Sequence, residues 1–197
     1  MIKAPKYLTI LIPLLFVVTG CGSPFGGILN TGGTNDPRKL ISIAHDRMYR
    51  SGRIIGARNV LRRAIEQSEK SIDSYALAAS YNMMAYTYIA QEIPNHQHAE
   101  IEADAARSYY LKAKIVAKTY GHECELIHTY IGMSLTNKIL GAEDKACKYR
   151  MKGERLANSV KARMKENPNI CEYGEKAIKS AEKRVMELNS HLNCNNG

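Results

Sequence analysis

LISIAHDRMYRSGRIIGARNVLRRAI, residues 40–65, decides how this chain folds. Leu40, Ile43, Ala44 and Met48 recur at the three- and four-residue spacing of one helix face. Ser51-Gly52 breaks the pattern, and Ile54, Ala57, Val60, Leu61, Ala64 and Ile65 then start a second stripe. Two amphipathic helices separated by a short break predict an antiparallel helical hairpin. Further along, Val stays scarce and the apolar–polar alternation of a half-buried strand is missing. There is no Trp, both Phe residues (Phe16 and Phe25) precede Lys39, and eleven tyrosines follow it. A core of Ala, Leu, Ile, Met and Tyr suits closely packed helices. The expected fold class is all-α.

The spacing of small and bulky residues repeats. Ala57-x3-Leu61-x2-Ala64 is followed by Met84-Ala85-x2-Tyr88 and Ala106-x3-Tyr110-x2-Ala113. Ile131-Gly132-x2-Leu135 and Ala146-x3-Arg150-x2-Gly153 make a third unit. An insert of about Gln91 to Glu100 separates the two helices of the second unit, and in the third Arg150 takes a slot that would ordinarily be apolar. Alanines let paired helices touch while the bulky residue fills the neighbouring gap. The pattern resembles the tetratricopeptide repeat, over about residues 40–158. The resemblance implies antiparallel hairpins stacked as a short solenoid across residues 39–166. After the helix stop Asn167-Pro168-Asn169, residues 167–197 would carry a capping helix, Glu172 to about Leu192. It also implies a groove lined by the first helix of each pair. The positions are Ser42, Asp46, Tyr49 and Arg50, then Asn82, Tyr86 and Ile89, then Met133, Thr136 and Asn137. Tyrosine, polar groups and an arginine suit an extended peptide or a partner helix.

Ahead of the helices, Lys3 and Lys6 precede an apolar stretch from Tyr7 to Val18, interrupted by Pro13 and too short for a spanning helix. It ends in Val18-Thr19-Gly20-Cys21, which resembles a bacterial lipobox. The resemblance implies removal of residues 1–20 as a signal peptide and lipidation of Cys21. It also implies residence as a lipid-anchored protein of the outer membrane, facing the periplasm, since Gly22 lacks the acid that retains enterobacterial lipoproteins at the inner membrane. Residues 21–38, rich in Gly, Ser, Thr and Asn, read as a flexible tether. The net charge is +9. Without Lys3 and Lys6 it becomes +7, a balance that favours anionic surfaces or partners. No nucleic acid is expected for an exported chain.

Cys124, Cys147, Cys171 and Cys194 form an even set, which outside the cytoplasm points to disulfides. Helices over about 121–140, 141–167 and 170–192, each antiparallel to the last, would put Cys124 and Cys171 at one end. Cys147 and Cys194 would then lie toward the other end. Pairing Cys124 with Cys147, or Cys171 with Cys194, would span well over ~15 Å at the rise of a helix, beyond what a disulfide tolerates. The expected pairs are therefore Cys124–Cys171 and Cys147–Cys194.

Candidate chemistry is sparse. His96 and His98 with Glu102 could hold a divalent cation, but acids at a helix start are also ordinary, and no metal site is expected. Gly-x-Ser-x-Gly, His-Glu-x-x-His and a phosphate-cradling glycine loop do not occur. The expectation is not an enzyme but an adaptor or assembly factor for an envelope machine, without cofactor beyond the lipid on Cys21. A metal-binding protein using His96 and His98, or a passive basic lipoprotein, is the alternative.

Overall fold

The structure, a computed structural model, describes residues 33–90, 96–167, 170–171, 183 and 194; of residues 96–98 it describes the backbone. The signal peptide, Cys21, most of the tether and the expected capping helix, apart from Lys183, lie outside the described residues. The described chain is all helical: α1 (Pro37–Tyr49), α2 (Ile54–Ser71), α3 (Ser74–Ile89), α4 (His96–Tyr120), α5 (Glu123–Ile139) and α6 (Glu143–Met164). α1 packs on α2, α3 on α4 and α5 on α6, and each hairpin packs on the next through α2–α3 and α4–α5. The first helices also touch one another, α1 with α3 and α3 with α5. This is a stack of helical hairpins with one layer of first helices.

The helix ends follow from local chemistry. Asp36 caps α1, accepting from the amides of Arg38 at 2.9 Å and Lys39 at 3.4 Å, with Pro37 in the first turn. Gly121 and Gly141 close α4 and α5 with φ of +74° and +68°, a left-handed conformation that a side chain would oppose. Beyond them His122 N–H donates to the Ala117 carbonyl and Ala142 N–H to that of Asn137, each at 2.8 Å. α2 ends in the same conformation at Ile72 (φ +58°), where the β-branched side chain is strained.

Packing follows the small–bulky–small spacing. Ala57, Ala64, Ala106, Ala113 and Ala146 are fully buried, and Leu61 and Tyr110 fill the gaps beside them. At Gly132 a Cβ would fall within the ring of Tyr110, so the second hairpin reaches into α5 where α5 has no side chain. A Cβ on Gly153 would come within 3.3 Å of Ile131 Cγ1, so α5 and α6 approach closely too. Arg150 is buried in its apolar slot, with Nη1 3.4 Å from a Glu154 carboxylate oxygen.

One detail differs from expectation. α4 starts at His96, so half of the expected insert is already helix and only residues 91–95 separate the two helices outside the described set. α4 thereby runs to 25 residues, the longest of the six. The cysteines pair as the antiparallel arrangement requires. Cys124 faces Cys171 and Cys147 faces Cys194, with Cα–Cα distances of 5.8 and 5.5 Å, within the disulfide range. Both pairs belong to the third hairpin's core, around Ile127, Ile131, Ala157 and Val160.

Candidate functional site

On α1, Ser42, His45, Asp46, Tyr49 and Arg50 recur at helical spacing and are exposed. Their outward position has a simple origin: Leu40, Ile41, Ala44 and Met48 occupy the opposite, buried face. The Tyr49 ring lies between two others, 4.5 Å from His45 on its own helix and 6.0 Å from Tyr86 on α3, the latter stacked at 23°. Tyr49 remains 48% exposed, so the stack is a ledge across two first helices and not a plug of the core. Arg50 Nε lies 3.5 Å from Asp46 Oδ1, which places one charge of each sign beside the rings. Ile89 is half-buried one turn beyond Tyr86. His45 was not among the groove positions carried over from the repeat pattern; its spacing of four from Tyr49 is the signal that could have found it.

The remaining groove positions are interior. Asn82, Met133, Thr136 and Asn137 are buried, which corrects their expected place on an open groove. The reason is that α5 packs against α4 and α6 as well as α3, so its polar side chains are satisfied inside, largely by its own backbone. Thr136 Oγ1 donates to the Gly132 carbonyl at 2.8 Å and Asn137 Nδ2 to the Met133 carbonyl at 2.6 Å. Asn82 Nδ2 donates to both the carbonyl and a carboxylate oxygen of Glu125, at 2.9 and 2.8 Å. Thr129 Oγ1 is 2.8 Å from Asn82 Oδ1 and from the Glu125 carbonyl. The Glu125 carboxylate, though buried, lies in the first turn of α5, where the helix dipole favours a negative charge. This network ties the second hairpin to the third.

A second aromatic row crosses the other side of α3. Tyr88 stacks on Tyr109 of α4 at 5.7 Å, and Tyr81 lies 6.3 Å from Tyr109. Arg58 of α2 covers Tyr88 at 3.8 Å and binds Glu102 at 2.6 Å. Burial, with the Glu69 carboxylate that accepts from its hydroxyl, pushes the Tyr81 phenol up to about 12. Burial raises that of Tyr88 as well. This row closes on its own cations and reads as packing between α2, α3 and α4.

The chemistry weighed for the insert changes in one respect. The side chains of His96 and His98 lie outside the described residues, but Glu102, their expected companion, is taken by Arg58. Among the described residues no three His, Cys, Asp or Glu side chains gather as a metal set. Ser74 Oγ and His122 Nε2 are 2.8 Å apart, a hydroxyl–imidazole pair joining the starts of α3 and α5. Tyr75 and Tyr120 pack on the imidazole, at 5.5 and 6.2 Å between centroids. Among the described residues, no helix is long and apolar enough to cross a membrane. No protein-family model, no curated protein and no solved structure matches this chain.

Proposed function

We propose that this protein is a lipid-anchored adaptor of a bacterial envelope, resembling tetratricopeptide proteins in plan, that holds a partner protein against the first-helix layer at α1 and α3. The observation that carries this reading is the His45–Tyr49–Tyr86 stack bridging the two helices, exposed at His45 and Tyr49 and half-buried at Tyr86. Rings with polar tips supply rigid contact area at little conformational cost, and Asp46 and Arg50 beside them can satisfy a backbone or a charged side chain of either sign. An extended peptide or one face of a partner helix fits such a ledge. The contact set is Ser42, His45, Asp46, Tyr49, Arg50, Tyr86 and Ile89. Attachment would be through the lipid on Cys21, with the domain held in the periplasm at the outer membrane by residues 21–38. The adaptor reading is favoured over metal binding because Glu102 is already ion-paired.

The test is photocrosslinking in cells with a reactive residue at Ser42, beside the ledge, and at Ile72, exposed at the end of α2, as a control outside the ledge. One recurrent envelope protein should be captured from position 42 and not from 72. The Tyr49→Ala/Tyr86→Ala pair should cut that capture about tenfold or more, as two interface anchors would, with helical circular dichroism unchanged. Equal capture from both positions, or capture indifferent to the tyrosines, would remove the ledge as the binding face.

A further inference from the structure

α4 carries a second exposed face that the ledge does not use. Leu111 and Ile115, one turn apart, are 40% and 66% exposed, while Ala106, Tyr110, Ala113 and Ala117 pack inward. The exposed neighbours of this pair on α4 are the neutral Ser108 and Thr119 and, in charge, mostly cations. Lys112 and Lys114 flank them on either side, and Arg107 and Lys118 lie one turn before and after. No Asp or Glu occurs between Asp104 and Glu123, and of the acids at the helix start Glu102 is matched by Arg58 at 2.6 Å and Asp104 by Arg107 at 3.9 Å. The lysines are also placed. Lys112 Nζ sits 5.7 and 5.3 Å above the rings of Tyr81 and Tyr109, and Lys114 Nζ 5.9 Å above Tyr149 of α6. Each ammonium is therefore held beside a tyrosine, with the aliphatic pair between the two.

We propose that this face of α4 rests on an anionic lipid surface. Apolar residues at the centre, with lysines and tyrosines at the rim, is the order of chemistry found on crossing from acyl chains into head groups: aliphatic groups enter, amphipathic rings and ammonium groups stay at the phosphate level. Charge decides between a lipid surface and a second copy of this chain. Two such faces would bring like charges together, whereas phosphate head groups complement them. The chain outside the described residues supplies the second argument. On the reading that Cys21 is lipidated, the Gly-rich stretch 22–33 would be a tether of roughly 20 Å root-mean-square reach. Thr34 and Asn35, at its end, lie by Arg63 of α2, 3.3 Å from its guanidinium. The domain thus never leaves the neighbourhood of the bilayer, and a face too weak to bind membranes alone suffices to orient it. The consequence is a fixed presentation of the His45–Tyr49–Tyr86 ledge, in place of a domain tumbling on its leash.

The absence of Trp from the chain makes the test direct. Ile115→Trp and the control Ile72→Trp, both at strongly exposed positions, each introduce a single indole into the protein purified from membranes. Each is reconstituted into phosphatidylglycerol-rich or phosphatidylcholine vesicles, some with brominated acyl chains. With Ile115→Trp, phosphatidylglycerol should blue-shift the emission and allow bromine quenching, and phosphatidylcholine should not. Both signals should be lost when Lys112→Glu and Lys118→Glu are added, and reduced at high salt. Ile72→Trp should report water throughout. Co-flotation with either vesicle reports the anchor, so failure of lipidation is distinguishable from failure of the face. Emission at position 115 that is the same in both lipids, or the same as at position 72, would overturn the proposal. A blue shift that depends on protein concentration without vesicles would overturn it in favour of self-association.

Discussion

At Gly132 the missing side chain is what lets the second and third hairpins meet. Tyr110 is 2% exposed and its ring occupies the space a Cβ would need, so Gly132→Ala forces either the ring or α5 to move. Overpacking of this kind costs about 1–3 kcal/mol, to be read as a shift of the urea midpoint. Tyr110→Ala should be destabilising alone, yet combined with Gly132→Ala the two should be strongly non-additive, because the space one fills the other vacates. A neutral Gly132→Ala would show that the hairpins do not approach this closely. Gly132 was legible in the sequence, because the small–bulky–small spacing states a steric requirement. Asn82, Met133, Thr136 and Asn137 were not. Their helical positions were readable, but whether a neighbouring helix covers a position depends on the stacking, and an interior Asn–Glu–Thr network looks in sequence like an exposed polar face. The ledge was half legible for the same reason: Tyr49 and Tyr86 came from the pattern, and His45 only from the contact.

Among the elements, α3 depends most visibly on its start. The Asp73 carboxylate caps it by accepting from the Ala76 amide at 3.0 Å, and also holds Arg38 Nε of α1 at 2.8 Å. Asp73→Ala should cost about 1–2 kcal/mol, the cap contributing most and the partly exposed ion pair a fraction. The Arg38 guanidinium, against some opposing desolvation, keeps the Asp73 carboxyl below its ordinary 3.8. A depressed carboxyl contributes stability above the unfolded value and loses it as pH falls through the folded one. The stability gap between wild type and Asp73→Ala should therefore be constant near neutrality and narrow as pH falls below about 4. Asp73→Asn, which can still cap, should remove most of the pH-dependent part while keeping much of the rest. A gap that stays constant into acid, measured by denaturant titration across pH, would mean that Arg38 does not hold this carboxylate in solution. Helix boundaries like this one were largely legible, because caps and turn glycines are local. The start of α4 was not, since His96-Gln97-His98 has loop composition and its helicity comes from the long α4 that it opens.

For the whole molecule, the stack is braced unevenly. Cys124–Cys171 and Cys147–Cys194 each span 47 residues and both lie from α5 onward, whereas no cysteine occurs from residue 33 to 123. By loop entropy each pair contributes on the order of 4 kcal/mol, all of it delivered to α5, α6 and the segment beyond. The first hairpin has packing and the Arg38–Asp73 and Arg58–Glu102 ion pairs. In a stack where each hairpin contacts its neighbours, such bracing decays with distance instead of spreading evenly. Native-state hydrogen exchange should therefore find α1 and α2 opening at the lowest free energy and α5 the highest. Reduction should lower protection of α5 and α6 most, α3 and α4 less, through the Asn82–Glu125–Thr129 network, and α1 and α2 least. An equal loss in all six helices would instead make the molecule one cooperative unit. The softest hairpin would then be the one that supplies Tyr49, so a partner seated on the His45–Tyr49–Tyr86 ledge should raise protection in α1 beyond its own footprint. That rise, present with the partner and absent with Tyr49→Ala, would tie the uneven bracing to binding.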